Sequence, residues 1–177
     1  MSIPLGRTIA AQAEGYEVAE AQASFEVFFQ DTHRRLFGAL CLMTGNRDEA
    51  EEIMQEAYLR LWERWERVEA MEAPTGFLFR TAINVFRSRY RRAKLGLRRH
   101  LWLASATDDL AEVEDRDMVV RLLRPLTPAE RAAIVLTTMF GWSSEEAGRI
   151  LGVQAATVRA HAARGRADAR ARAEERS

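Results

Sequence analysis

Cysteine, lysine and histidine are nearly missing from this chain of 177 residues. Cys41 is the single cysteine, which excludes an internal disulfide. Its setting among Leu40, Leu42 and Met43 reads as that of a small buried hydrophobe rather than a reactive thiol. His33, His100 and His161 lie far apart, with no cysteine at ligand spacing, so the pattern holds no metal site. Lys94 stands alone against 25 arginines, a bias that a GC-rich genome produces without help from chemistry. No apolar run approaches the roughly 18 residues of a membrane span, and Met1–Gly15 lacks the basic start and apolar block of a signal peptide. A glycine-rich phosphate loop, a nucleophile with a paired base and a ligand cluster are all missing too, so the residues give no grounds for catalysis or for a cofactor.

Net charge is zero, yet the charges are sorted by segment. Residues 1–24 sum to −2, 25–73 to −5, 74–104 to +8, 105–118 to −5 and 119–177 to +4. The basic segment contains Arg80, Arg87, Arg89, Arg91, Arg92, Lys94, Arg98 and Arg99 and no acid. Phe77, Phe79, Phe86 and Tyr90 are threaded through it. Guanidinium groups neutralise phosphates, and flat rings offer stacking faces to unpaired bases, worth about 1–3 kcal/mol each. A solvated helix face over core aromatics gives the same composition, so the neighbouring segments decide between the two readings.

Strand patterns are missing as well, and the expected fold is all-α: two small helical domains joined by a flexible linker. Phe25, Phe28, Phe29, Leu36, Phe37, Leu40 and Met43 mark a first helix, ended by Thr44-Gly45-Asn46. Ala50, Ile53, Met54, Ala57, Tyr58, Leu61 and Trp65 recur at helical spacing, opposite a charged face. Pro74 starts a third helix reaching about Arg92, with Leu78, Ala82, Val85 and Phe86 inward. The acidic run Asp108–Asp117 reads as linker. Residues 1–24 read as a loosely ordered extension, 25–92 as the first domain, 93–117 as linker, 118–172 as the second domain and 173–177 as tail. The two halves are expected to fold separately and move about this tether.

The second half is tightly punctuated. A short helix at Val119–Leu123 is stopped by Pro125. Thr127-Pro128-Ala129-Glu130 and Ser143-Ser144-Glu145-Glu146 are capping boxes. They open one helix to Phe140 and a two-turn helix to Leu151-Gly152, with a last helix from Ala155 to about Arg172. Counted from Ser144, Gly148 is fifth, Gly152 ninth and Val158 fifteenth. A helix-turn-helix needs a small residue, a tight turn and an apolar lock at those positions. An αα-hairpin that only packs would satisfy the same rule, but Arg159, His161, Arg164, Arg166, Arg170 and Arg172 on the outer side favour DNA.

Four motifs in this order resemble the extracytoplasmic-function (ECF) class of the sigma-70 family, the dissociable promoter-recognition subunits of bacterial RNA polymerase. They are DEAEEIMQEAYLRLW from Asp48, PTGFLFRTAIN from Pro74, LTPAER from Leu126 and GVQAATVR from Gly152. The resemblance implies region two in the first half and region four in the second, and a cytoplasmic sigma factor that directs promoter-specific initiation. Glu52, Gln55, Glu56 and Arg60 would then face the β′ clamp helices of core polymerase, with the β flap as a further contact. Arg80, Asn84, Arg87 and Arg91 would meet the single-stranded −10 element. Gln154, Thr157, Arg159, Ala160, His161, Ala163 and Arg164 would meet the duplex −35 element. The loop Val68–Pro74 matches the segment that captures a flipped base, although here it is acidic and apolar. Many members are held by an anti-sigma factor, which makes one a further candidate partner. The alternative is a conventional helix-turn-helix regulator that acts without core polymerase.

Overall fold

A computed structural model describes the chain over residues 5–95 and 114–174, and among these it is helical with no strand. Helix α1 (Leu5–Thr44) runs for 40 residues. The stretch expected to be a loose extension is thus helical from Leu5. Adding residues to a formed helix is cheap compared with nucleating one, and Ala, Glu and Gln cost little in a helix. Gly45, at φ 69°, ends it. Asn46 caps α2 (Arg47–Trp62), its side chain accepting from the Glu49 amide. The periodic stripe then breaks: Trp65 opens a separate short helix, α3 (Trp65–Glu69). The break leaves the Trp65 indole N–H donating to Ser24 Oγ at 2.8 Å, with its ring against Phe25 and Phe28.

Helix α4 (Pro74–Leu95) buries the expected stripe of Leu78, Ala82, Val85 and Phe86 against α2. Cys41 is buried as expected. The acidic linker lies largely outside the described residues; α4 runs into its first residues, and α5 (Glu114–Leu123) takes up its last.

Both capping boxes form, with Thr127 and Glu130 opening α6 (Pro128–Ile134) and Ser143 and Glu146 opening α7 (Ser144–Leu151). Between them Val135–Met139 widens into a π-helical turn, in which the Phe140 N–H reaches back to Val135 O. The extra residue swings Phe140 and Trp142 onto Phe79 of α4. Helix α8 (Ala155–Glu174) follows.

The halves do not stand apart. Buried residues from both belong to one continuous core, and α1 and α4 pack against α5, α6 and α7. Arg131 of α6, 2% exposed, is inserted between the halves.

Candidate polymerase and nucleic-acid interfaces

On α2, Ala50, Ile53, Ala57, Tyr58 and Leu61 are buried, which turns Glu52, Gln55, Glu56 and Arg60 outward as the sequence expects. The face is not purely charged. Leu59 is 60% exposed in its midst, and Trp62 is 40% exposed at its end. Both were missed because they fall off the 3.6-residue stripe; an apolar residue on an otherwise charged helix face was the available signal. An exposed apolar centre with a polar rim is the composition of a docking patch. The charged members are also tied to their own domain. Arg89 of α4 donates to Glu52 at 2.6 Å and to Glu56 at 3.0 Å, and Arg60 bonds Glu56 at 2.6 Å. Burial works against the Arg89 charge, but the two carboxylates more than offset it and raise its pKa.

Arg80, Asn84, Arg87 and Arg91 are spaced by four, three and four residues, so α4 carries them on one stripe. Arg80, Asn84 and Arg91 are exposed. Arg87 is not presented with them: its guanidinium donates to Leu151 O at 2.8 Å, at the end of α7. Burial, and then the neighbouring Arg91 charge, lower its pKa. The expected stacking platform is also corrected. Phe79 and Phe86 are fully buried, because with Ile83 they lie on the inner side of the helix, and only Phe77 and Tyr90 are partly exposed. The expected Val68–Pro74 loop is shorter, since Val68 and Glu69 belong to α3 and Pro74 opens α4; the turn that remains borders a cleft of about 650 Å³. Met71, Glu72 and Ala73 line one wall, and Trp142, Arg149 and Ile150 line the other.

The helix-turn-helix geometry is specific. A Cβ on Gly148 would lie 2.7 Å from Val153 O and 3.4 Å from Ala155 N, so the second helix crosses there with no room for a side chain. Gly152 sits at φ 67°, in the left-handed region that favours glycine. Val158 is fully buried. Gln154, just before α8, is exposed, as are Arg159, Ala160, Ala163 and Arg164 on the helix, and Thr157 and His161 are partly so. Ala162 is buried, so its small size answers to packing rather than to a ligand. Arg159 lies 3.5 Å from Glu145, and Arg164 lies 3.5 Å from Glu130 and 2.9 Å from His161 Nδ1. The Arg159–Glu145 pair is exposed, and a pair of this kind is worth about 0–1 kcal/mol, so an incoming phosphate displaces it at little cost, whereas the carboxylate of the Arg164 pair is buried. Glu130 also accepts from the Thr127 amide at 3.0 Å and its hydroxyl at 2.7 Å. Burial pushes its carboxyl up, but those hydrogen bonds and Arg164 outweigh burial and hold it below the usual range.

Among the described residues no group of three or more potential ligands could hold a metal ion, and no helix is long and apolar enough to cross a membrane.

Residues 28–95 match the Sigma-70 region 2 family, and residues 116–168 match Sigma-70, region 4. The ECF RNA polymerase sigma factor SigM of Mycobacterium tuberculosis is 31% identical over 85% of this chain and 77% of its own. The RNA polymerase sigma-E factor of Streptomyces coelicolor is 32% identical over 76% of this chain and 77% of its own. Among solved structures, the sigma factor RpoE of Bartonella quintana, in complex with the anti-sigma factor NepR, has a TM-score of 0.66 at 20% identity, covering 82% of this chain and 94% of that one. CnrH, in complex with the cytosolic domain of CnrY, has a TM-score of 0.66 at 23% identity, covering 90% and 96%. Two small helical units in this order, a helix-turn-helix closed by Gly148, Gly152 and Val158, and relatives matched across most of their length all agree: the chain belongs to the ECF class of the sigma-70 family, the initiation factors that direct RNA polymerase to promoters.

Proposed function

We propose that this sigma factor docks on core polymerase through the α2 face around Leu59, reads the −35 duplex with α8 and meets the opened −10 strand with the α4 stripe. Glu52, Gln55, Glu56 and Arg60 form the polar rim of the docking face, and Leu59 with Trp62 its apolar centre. Asn84 is the base-reading group of α4, since an amide can pair two-fold with an adenine edge, while Arg80 and Arg91 hold phosphates. Arg159 and Arg164 project from a helix shaped to enter an intact major groove. The small Ala160 and Ala163 leave thymine methyl contact and groove shape to supply the rest of the −35 readout. The protein acts in the bacterial cytoplasm and carries out no catalysis of its own.

The observation that carries this reading is the presence of two separate basic faces, on α4 and α8, in one chain with an outward docking face on α2. A regulator acting without polymerase would need only the second. Fluorescence anisotropy of a labelled promoter fragment separates the two. Tight binding only after addition of core polymerase supports the proposal, whereas equally tight binding by the free protein favours the regulator.

A further inference from the structure

Two exposed arginines of α8 are paired with acids, and the two pairs differ in kind. Arg159 meets Glu145 of α7, and both side chains are largely exposed. Arg164 is as exposed as Arg159, but the carboxylate it meets, Glu130 of α6, has a side chain only 11% exposed. That carboxylate is not free to move with its partner. The Thr127 amide and hydroxyl hold it at 3.0 Å and 2.7 Å, as part of the α6 capping box. The helices also meet closely beside it. Gly165 is buried, and a Cβ there would lie 2.7 Å from Ile134 Cδ1 and 3.3 Å from Glu130 Cβ, so the α8 backbone rests on α6 at this point.

The guanidinium of Arg164 is thereby held at two of its nitrogens. Nε lies 3.5 Å from Glu130 Oε1, and Nη2 donates to His161 Nδ1 at 2.9 Å, one helical turn earlier. A guanidinium only donates, so Nδ1 is the bare nitrogen of the imidazole and Nε2 carries its proton. Neither contact uses Nη1, whose two N–H groups remain for a ligand.

We infer that Glu130 is a positioning residue for base reading: it fixes the Arg164 guanidinium in one orientation toward a −35 base edge, and so sets selectivity without touching DNA. This rests on the assignment of α8 to the −35 duplex made above. A phosphate accepts an arginine from many angles, whereas a base edge is read only by a guanidinium held in its plane. Holding the side chain in advance removes part of the ordering cost of binding. The groups on offer, Nη1, the second N–H of Nη2 and His161 Nε2, are all donors. Guanine, whose N7 and O6 both accept, is the major-groove edge that takes two of them, and the cytosine amino group opposes them.

The test is holoenzyme transcription from promoters carrying each of the four base pairs in turn across the −35 element, scored as the ratio of best to worst at each position. Ratios within one protein cancel any difference in the amount folded. A capping box works with glutamine as well as glutamate, so Glu130→Gln keeps the cap and removes the charge. Glu145→Gln does the same at the exposed pair, and Arg164→Ala marks the base pair that Arg164 reads. A two-fold contact gives a ratio of about 5- to 150-fold in favour of guanine. Glu130→Gln should lower that ratio at least about threefold, at this base pair alone, and should add nothing in the Arg164→Ala background. Glu145→Gln should leave every ratio at the wild-type value. If Glu130→Gln spares the base pair that Arg164→Ala flattens, or adds to Arg164→Ala, the proposal is overturned and the −35 assignment stands. Equal weakening of all −35 variants by Arg164→Ala would make Arg164 a phosphate contact and overturn the proposal likewise. If Arg164→Ala changes no promoter, the assignment itself fails and takes the proposal with it.

Discussion

Gly148→Ala isolates the geometry on which the helix-turn-helix assignment stands. Gly148 lies inside α7, where replacing glycine by alanine ordinarily stabilises a helix by about 1 kcal/mol. Here the new methyl would sit 2.7 Å from Val153 O and 3.4 Å from Ala155 N. Both are backbone atoms of the turn, so no flexible side chain can yield. The turn itself is tied to the same residue, because the Val153 N–H donates to Gly148 O at 3.0 Å. Overpacking of this kind costs about 1–3 kcal/mol, which offsets the helical gain and leaves a net loss of up to about 2 kcal/mol. Gly76→Ala is the control: its nearest neighbour, Ala73 Cβ, is at 3.8 Å, and the same change there should be neutral or stabilising by up to about 1 kcal/mol. Urea unfolding followed by circular dichroism reads both, and −35 duplex binding by the holoenzyme should weaken for Gly148→Ala alone. If Gly148→Ala stabilises as Gly76→Ala does, the close crossing of α7 and α8 is wrong.

Three further outcomes follow from the same contacts. Leu59→Asp, or Gln55→Ala with Glu56→Arg, should weaken core polymerase binding at least tenfold while leaving helicity intact, as measured by titration of labelled core and circular dichroism; unchanged affinity would move the docking face elsewhere. In holoenzyme transcription, Arg159→Ala and Arg164→Ala should each cost about 1–3 kcal/mol on promoters with a strong −35 element if the contact is a two-fold base pairing. Asn84→Ala should act at the −10 element instead, with a defect that shrinks on templates already mismatched open there. Glu130 gives a pH signature: its folded pKa is lowered, so its stabilisation is complete above the usual carboxylate range and is lost as pH falls through the folded value. Stability against pH for Glu130→Gln should therefore show a flatter acid limb, and an unchanged limb would remove the carboxylate from that role.

Local signals carried far in this chain. The capping boxes at Thr127 and Ser143, the turns at Gly45 and Gly152, and the buried stripe of α4 are written in adjacent residues, and each formed where its pattern placed it. Helix extent was harder to read. Nothing in residues 5–24 shows that a helix nucleated after Phe25 continues back to Leu5. Nor does anything near Glu63 show that Trp65 leaves the stripe to reach Ser24, 41 positions away. The aromatics of α4 divide by helical phase, which composition alone does not resolve. The contact between the halves was the least legible, because Arg131 meets Met43 across 88 residues and its partner is a backbone carbonyl that any residue type would supply.

This chain gives polymerase its choice of promoter. Transcription reconstituted from purified core polymerase, this protein and a library of randomised promoters tests it most directly. Initiation should depend on this chain and select two elements about 25 base pairs apart, with Arg159→Ala and Arg164→Ala impairing use of the upstream one and Asn84→Ala the downstream one. Initiation no different from core polymerase alone, or selection of a single duplex site bound without core, would contradict it.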